Sequence, residues 1–203
     1  MKLSLVIPVH NLEKYIEPML VSLKYQVYDH REVEPIFICD SCTDRTHEII
    51  ENHLKASYPH LKVIDREYKS SGLSRNDGLE LATGDYIWLL DGDDWLIDNH
   101  AIKKIMRYFD ENTGFVLHVG FISNTYKSYG YRFTVWQWVF SAKWAKSVKF
   151  TSRQYDDDVE WMQKMMQKHQ IIAYPKLEEP MYFYNYMRED SVMFKRKLEE
   201  FTK

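Results

Sequence analysis

Glycine is scarce in this chain: 7 of 203 residues, with none before Gly72. A glycine-rich phosphate loop lets backbone amides approach an anion closely, and a sugar-phosphate nucleotidylyltransferase would need one after its first strand. The stretch there, Pro8-Val9-His10-Asn11, has no glycine and sets that activity aside as the weaker alternative. Cysteine is scarcer still. Cys39 and Cys42 form a C-x-x-C that could be a redox pair or half of a zinc site. No second pair follows, and His47 and His53 complete no familiar spacing, so both read as reduced packing residues at a strand end. No apolar run reaches membrane-spanning length, and Met1-Lys2 leads straight into strand-like residues in place of a secretory leader, so a cytoplasmic location is expected. An excess of positive charge is missing too. With 27 Lys and Arg against 30 Asp and Glu, the net charge of -3 gives no global attraction to nucleic acid or anionic membrane.

What is present is globular. At 45% hydrophobic and 15% aromatic residues, 203 positions can bury a full core, and residues 1-203 are expected to form one domain. Leu3 to Pro8 reads as a buried strand ended by Pro8. Leu12, Ile16, Met19, Leu20 and Leu23 follow helical spacing, with Asn11 as a cap and Pro18 predicting a late start or a kink. Further strands are expected over Pro35 to Asp40, Leu61 to Asp65, the run into Leu90, and Phe115 to Phe121. Helices are expected from Thr43 or Asp44, from Leu73 to Leu81, from Asn99 to Asp110, and after Asp156-Asp157-Asp158. The alternation implies an α/β fold with a mainly parallel central sheet flanked by helices.

Gly84 to Trp95 is the most informative stretch: an apolar strand that ends in Asp91-Gly92-Asp93-Asp94. Crowded carboxylates repel one another, and a hard cation relieves that repulsion, with oxygen ligands suiting Mg2+ or Mn2+. Mg2+ usually takes one or two carboxylates and completes its shell with water and substrate phosphate, so the cluster points to a metal-bound phosphate ester. Its place at a strand's carboxyl end is where open α/β sheets bind ligands. From Tyr126 to Phe150 aromatic residues, Trp136 and Trp138 among them, alternate with Lys127, Arg132, Lys143, Lys146 and Lys149. Such a run suits a sugar or an unstacked base, or else it is core.

Five blocks then share one order and spacing: Leu5-Val6-Ile7-Pro8-Val9-His10-Asn11-Leu12-Glu13, Cys39-Asp40-Ser41-Cys42-Thr43-Asp44, Gly72-Leu73-Ser74-Arg75-Asn76-Asp77-Gly78, Leu90-Asp91-Gly92-Asp93-Asp94 and Asp157-Asp158-Val159-Glu160-Trp161. Together they resemble the inverting family 2 glycosyltransferases of the GT-A fold, and Pro180 to Tyr184, through Arg188 to Ser191, resembles a segment of bacterial and phage members. The resemblance implies a donor half over 1-95 and an acceptor half with the catalytic base over 96-203. It places Pro8, Asn11 and Glu13 around the nucleotide, Asp40 on the base, and Arg75 and Asn76 near ribose and diphosphate. Asp91 would hold the ribose side, Asp93 would ligate Mn2+ or Mg2+, and Asp158 would be the general base. Asp157 stands where the family usually has glutamate, so the register within Asp156 to Asp158 is open by one residue. His10 replaces a common tyrosine, and Cys42 a small polar residue.

The implied reaction is metal-dependent, inverting transfer from a nucleoside-diphosphate sugar, a UDP-sugar in the usual case, to a hydroxyl of a glycan or lipid-linked saccharide. Trp136 and Trp138 are the expected acceptor-binding rings. A modified base in DNA as acceptor, or a nucleotide-sugar binder without catalysis, are the other readings.

Overall fold

The computed structural model describes residues 1-124, 134-153 and 156-185. Tyr126, Lys127, Tyr129, Tyr131, Arg132 and Phe133 of the aromatic run, and the Arg188 to Ser191 segment, lie outside the described residues.

In chain order the elements are β1 (Leu3–Val9), α1 (Glu17–Lys24), β2 (Val33–Asp40), α2 (Thr46–Leu54), β3 (Lys62–Arg66), α3 (Ser71–Leu81) and β4 (Tyr86–Leu89). They continue with β5 (Trp95–Leu96), α4 (Ala101–Glu111), β6 (Val116–Ser123), β7 (Trp138–Ser141), α5 (Ala142–Ala145), α6 (Asp157–His169) and β8 (Lys176–Tyr184). One sheet carries all the strands in the order β3-β2-β1-β4-β7-β6-β8-β5. The β1-β2, β2-β3, β1-β4 and β6-β8 pairs are parallel. The β4-β7, β6-β7 and β5-β8 pairs run antiparallel. The sheet is therefore mixed: parallel where strand and helix alternate, antiparallel where Trp138 to Ser141 enters between β4 and β6. That strand is four residues long and apolar up to its last residue, Ser141, so it carries none of the period-two polarity that marks a strand.

The alternation of β1 across its pleat builds the core on both faces. Leu3, Leu5, Ile7 and Val9 pack with Met19, Leu20 and Leu23 of α1, Ile50 and Leu54 of α2, and the inner stripe of α4. Val6 faces the other way, toward Leu79 of α3 and Trp161, Met162 and Met165 of α6. β1 and β2 are apolar runs because helices cover both sides.

Two local expectations change for physical reasons. Pro8 does not end β1, which runs to Val9. Val6 O accepts from Leu90 N, so even-numbered positions of β1 face β4, and Pro8 falls beyond β4's end where no amide is needed. The late helix start is observed, with Pro18 in the first turn of α1, but Asn11 does not cap it. Asn11 instead adopts φ 48°, and its Oδ1 accepts from the Thr43 amide at 2.8 Å, joining the loops after β1 and β2.

At the amino-terminal edge, away from the acidic cluster, Glu34 is buried between β1, β3 and the turn before β4. Its carboxylate accepts from Ser4 Oγ (2.6 Å), Lys62 Nζ (2.8 Å), and Thr83 N (2.8 Å) and Oγ1 (2.9 Å). Burial alone would raise its pKa, but these donors outweigh it and hold the carboxyl down at about 2, from 4.5. Glu34 therefore contributes stability that is fully present above pH 4.5 and is lost as pH falls toward 2. Glu34→Gln should cost on the order of 2-3 kcal/mol at neutral pH, measured by chemical denaturation, and the gap should close on acidification. An equal gap across that range would show that the carboxylate's charge is not what the site uses.

Candidate active site

The acidic cluster sits at the carboxyl end of the parallel half of the sheet. Leu90 continues the β4 ladder for one residue through its bond to Val6 O, and the chain then turns, with Asp94 N donating to Asp91 O at 3.2 Å. Gly92 has no positive φ. Its requirement is space: a Cβ there would lie 2.5 Å from Val9 Cγ1 and 2.9 Å from Leu12 Cδ1, so only glycine lets the acidic turn press against the β1 exit.

Arg75, on α3 and 6% exposed, reaches into this cluster. Its Nη2 donates to Asp91 Oδ1 at 2.8 Å and its Nη1 to Asp157 Oδ2 at 2.9 Å. The guanidinium also lies over the Phe150 ring, 5.6 Å from its centroid. One cation thus joins the strand exit to the amino terminus of α6, 82 residues further on from Arg75. Ser71 Oγ adds a 3.1 Å bond to Asp157, and a Cβ on Gly72 would lie 2.2 Å from Thr151 O, so α3 approaches the segment before α6 as closely as a backbone allows.

Within Asp156 to Asp158 the register has a structural answer for one member. Asp157 is buried and consumed by Arg75 and Ser71. Asp158, one residue on, is half-buried and accepts from its neighbour's amide, Val159 N, at 2.8 Å. Burial, reinforced by the negative charges of Asp91 and Asp157 and opposed by Arg75, pushes its carboxyl up to about 6 from 3.8.

Asp94, which no sequence expectation singled out, is the most deeply buried acid of this cluster. It is 1% exposed, accepts from Tyr182 Oη at 2.5 Å and from Asn185 N at 2.8 Å, and so ties the acidic turn to β8. Tyr182 Oη in turn accepts from Asp91 N at 3.3 Å. Burial, with repulsion from Asp93 and Asp91, raises the Asp94 carboxyl well above its usual range. Burial and Asp93 also raise Asp91, against the pull of Arg75. The signal was the third acid in the run, but its partner comes from a strand 88 residues away.

This electrostatic state bears on a divalent ion. Carboxylates crowded at a strand exit, raised by burial and by their mutual repulsion and offering only hard oxygen donors, fit Mg2+ or Mn2+. Asp93, half-buried in the same turn, is the residue whose charge acts on both neighbours.

The remaining expected residues divide. Pro8 is half-buried in β1. Glu13 pairs with Arg45 at 2.6 Å in the exposed loop layer beside Asn11. Asp40 faces inward: its oxygens accept from the amides of Tyr68 (2.7 Å), Lys69 (2.8 Å) and Ser70 (2.8 Å) and from Ser74 Oγ (3.0 Å). Those donors shape the loop into α3. Asn76 pairs with the backbone before α6: its amide donates to Phe150 O (2.9 Å) and accepts from Phe150 N (2.8 Å). The two acceptor rings are corrected outright. Trp136 and Trp138 are 3% and 2% exposed, Trp136 stacked on Tyr182 and Tyr184, and Trp138 packed edge-on to Tyr174. Large rings beside a sheet bury more area in the core than they would gain at a wet surface.

Residues 4–160 match the family described as Glycosyl transferase family 2. The chain belongs to that family. This family 2 chain is 37% identical over 114 residues to a poly(ribitol-phosphate) beta-glucosyltransferase of Bacillus spizizenii, covering 55% of the chain and 18% of that protein. It is 34% identical over 119 residues to the poly(ribitol-phosphate) beta-N-acetylglucosaminyltransferase TarS of Staphylococcus aureus, covering 58% of the chain and 20% of that protein. The chain thus spans about a fifth of the length of these two relatives. Among solved structures it resembles S. aureus TarS in complex with UDP-GlcNAc, with TM-score 0.83, 22% identity, and coverage of 95% of this chain and 60% of that one. A mannosyltransferase from Pyrobaculum calidifontis in complex with GDP-Man and Mn2+ superimposes with TM-score 0.71 at 15% identity, covering 93% of this chain and 58% of that one. At these identities the likenesses show a shared GT-A fold. Among the described residues no helix is long and apolar enough to cross a membrane.

Removing the bridge should be severe. Arg75→Ala leaves Asp91 and Asp157 uncompensated and should cost about 3-5 kcal/mol in denaturant unfolding. Arg75→Lys should recover less than half of that, because one ammonium nitrogen cannot span the two carboxylates that Nη1 and Nη2 reach separately. Full recovery by lysine would reduce the bridge to a simple point charge.

Proposed function

We propose that this family 2 chain carries the donor-binding and catalytic parts of a glycosyltransferase that moves a sugar from a nucleoside-diphosphate donor, UDP first among the candidates, to an acceptor hydroxyl. The observation that carries this reading is the Arg75 bridge, which draws the acidic strand exit and the amino terminus of α6 into one charge cluster. The family match supports the reaction class, and the solved relatives with UDP-GlcNAc and GDP-Man support a nucleotide-sugar donor.

In this reading Asp93, with Asp91 beside it, holds Mn2+ or Mg2+. Such an ion, when bound, offsets negative charge developing on the departing diphosphate. Arg75 opposes the burial that raises Asp91 and orients its carboxylate, and it holds α6 so that Asp158 faces the cluster. Asp158 accepts the proton from the acceptor hydroxyl as the new glycosidic bond forms and the bond to the diphosphate breaks. A pKa near 6 makes Asp158 ionised at neutral pH yet more basic than an ordinary aspartate, as a base requires. Attack from the face opposite the diphosphate inverts the anomeric centre. The poly(ribitol-phosphate) relatives favour a hydroxyl on a polyol or saccharide polymer as acceptor.

Calorimetric titration of UDP, GDP, CDP and TDP, each with and without Mn2+, tests the donor site in wild type and Asp93→Ala. One nucleotide should bind, with metal enhancing it and Asp93→Ala removing the enhancement. Failure of all four to bind under any condition would overturn the reading. Asp158→Asn should lower transfer by about 100-fold or more while leaving nucleotide binding within about twofold. Because the folded pKa is raised, wild-type turnover should fall as pH drops through about 6, not through 3.8. Turnover unchanged in Asp158→Asn would return the base to another residue.

A further inference from the structure

The far side of the parallel sheet edge carries a second set of ligand-type groups that the proposed transfer does not use. Cys39 lies near the end of β2 and Asp65 is its register partner on β3, so both side chains leave the sheet on one face. His47, in the first turn of α2, covers that face, and its Nδ1 lies 2.8 Å from Asp65 Oδ1. The ligand atoms of Cys39, His47 and Asp65 all fall within 4.8 Å of one another. Cys42, in the following turn, donates its thiol to Val9 O at 3.6 Å instead. Sequence spacing missed the set because C-x-x-C finds its carboxylate on a neighbouring strand.

We infer that Cys39, His47 and Asp65 form a binding site for a thiophilic divalent cation of the Zn2+ class, with the fourth position open to water. One thiolate, one neutral imidazole and one carboxylate make a neutral complex with a divalent ion, and mixed sulfur and nitrogen donors select Zn2+ over Mg2+. The carboxylate on the imidazole already fixes the ring's orientation, as outer partners of ligating histidines do. Access is open from the solvent side: the Asp65 side chain is 70% exposed and that of His47 34%, while Cys39 closes the floor at 1%. Binding displaces the Cys39 thiol proton to solvent. The site is separate in chemistry from the acidic turn after β4, whose donors are all oxygen. It lies one residue before Asp40, so an ion there would clamp β2, β3 and α2 behind the loop that leads into α3.

Co2+ titration of the full chain, reduced with a phosphine that supplies no thiol, reads the site directly. The expected result is one equivalent producing a thiolate-to-cobalt charge-transfer band with visible bands of tetrahedral intensity, bleached by Zn2+ and unaffected by excess Mg2+. His47→Ala and Asp65→Ala, both at exposed positions, should each weaken binding by at least about tenfold, and Asp93→Ala should leave the band in place. Thermal unfolding should move up with Zn2+ in wild type and less so in either variant. Absence of the charge-transfer band in wild type, or equal Co2+ affinity in wild type, His47→Ala and Asp65→Ala, overturns the inference.

Discussion

A single buried guanidinium organises this molecule. Arg75 must remain charged, and a buried charge is tolerated only with partners that satisfy it. Those partners are Asp91 at the end of the β4 extension and Asp157 at the start of α6. The cost of burying the cation therefore forces two distant parts of the chain together, and Gly72 lets the backbone close the gap. Everything proposed for the site follows from that contact: the placement of Asp158, the charge on Asp91, and the meeting of the parallel half with α6.

The acids around the bridge differ by environment. Asp157, with two donors on one oxygen, and Asp40, with donors on both, act as struts, the first for α6 and the second for the loop into α3. Asp94 is locked to β8 through Tyr182 and the Asn185 amide. Asp91, Asp93 and Asp158 keep the repulsion that a cation or a proton can relieve. Glu34 shows the contrast at the opposite edge of the sheet. There burial comes with four donors and yields a low pKa, a purely stabilising arrangement.

The aromatic residues are the second lesson in environment. Trp88, Trp136 and Tyr182 interlock, with Trp88 Nε1 donating to Trp136 O at 2.8 Å and Trp136 stacked on Tyr182. Tyr182 is also the residue that grips Asp94. The rings that looked like an acceptor platform are thus buried packing that braces the acidic turn from behind.

The parallel half of the sheet and its flanking helices were legible in the sequence because local rules determine them: uninterrupted apolar runs, helical stripes, and carboxylates at a strand's end. The family resemblance was legible for a related reason, since its blocks are contiguous and keep their order. What only the tertiary structure decided is how separated groups pair. Whether Asp157 or Asp158 meets Arg75, whether Trp136 and Trp138 face solvent, which tyrosine holds Asp94, and that Asp65 joins Cys39 and His47 all depend on contacts between residues 18 to 88 positions apart. Burial and charge pairing are set by those long-range contacts, and no local pattern of residue types contains them.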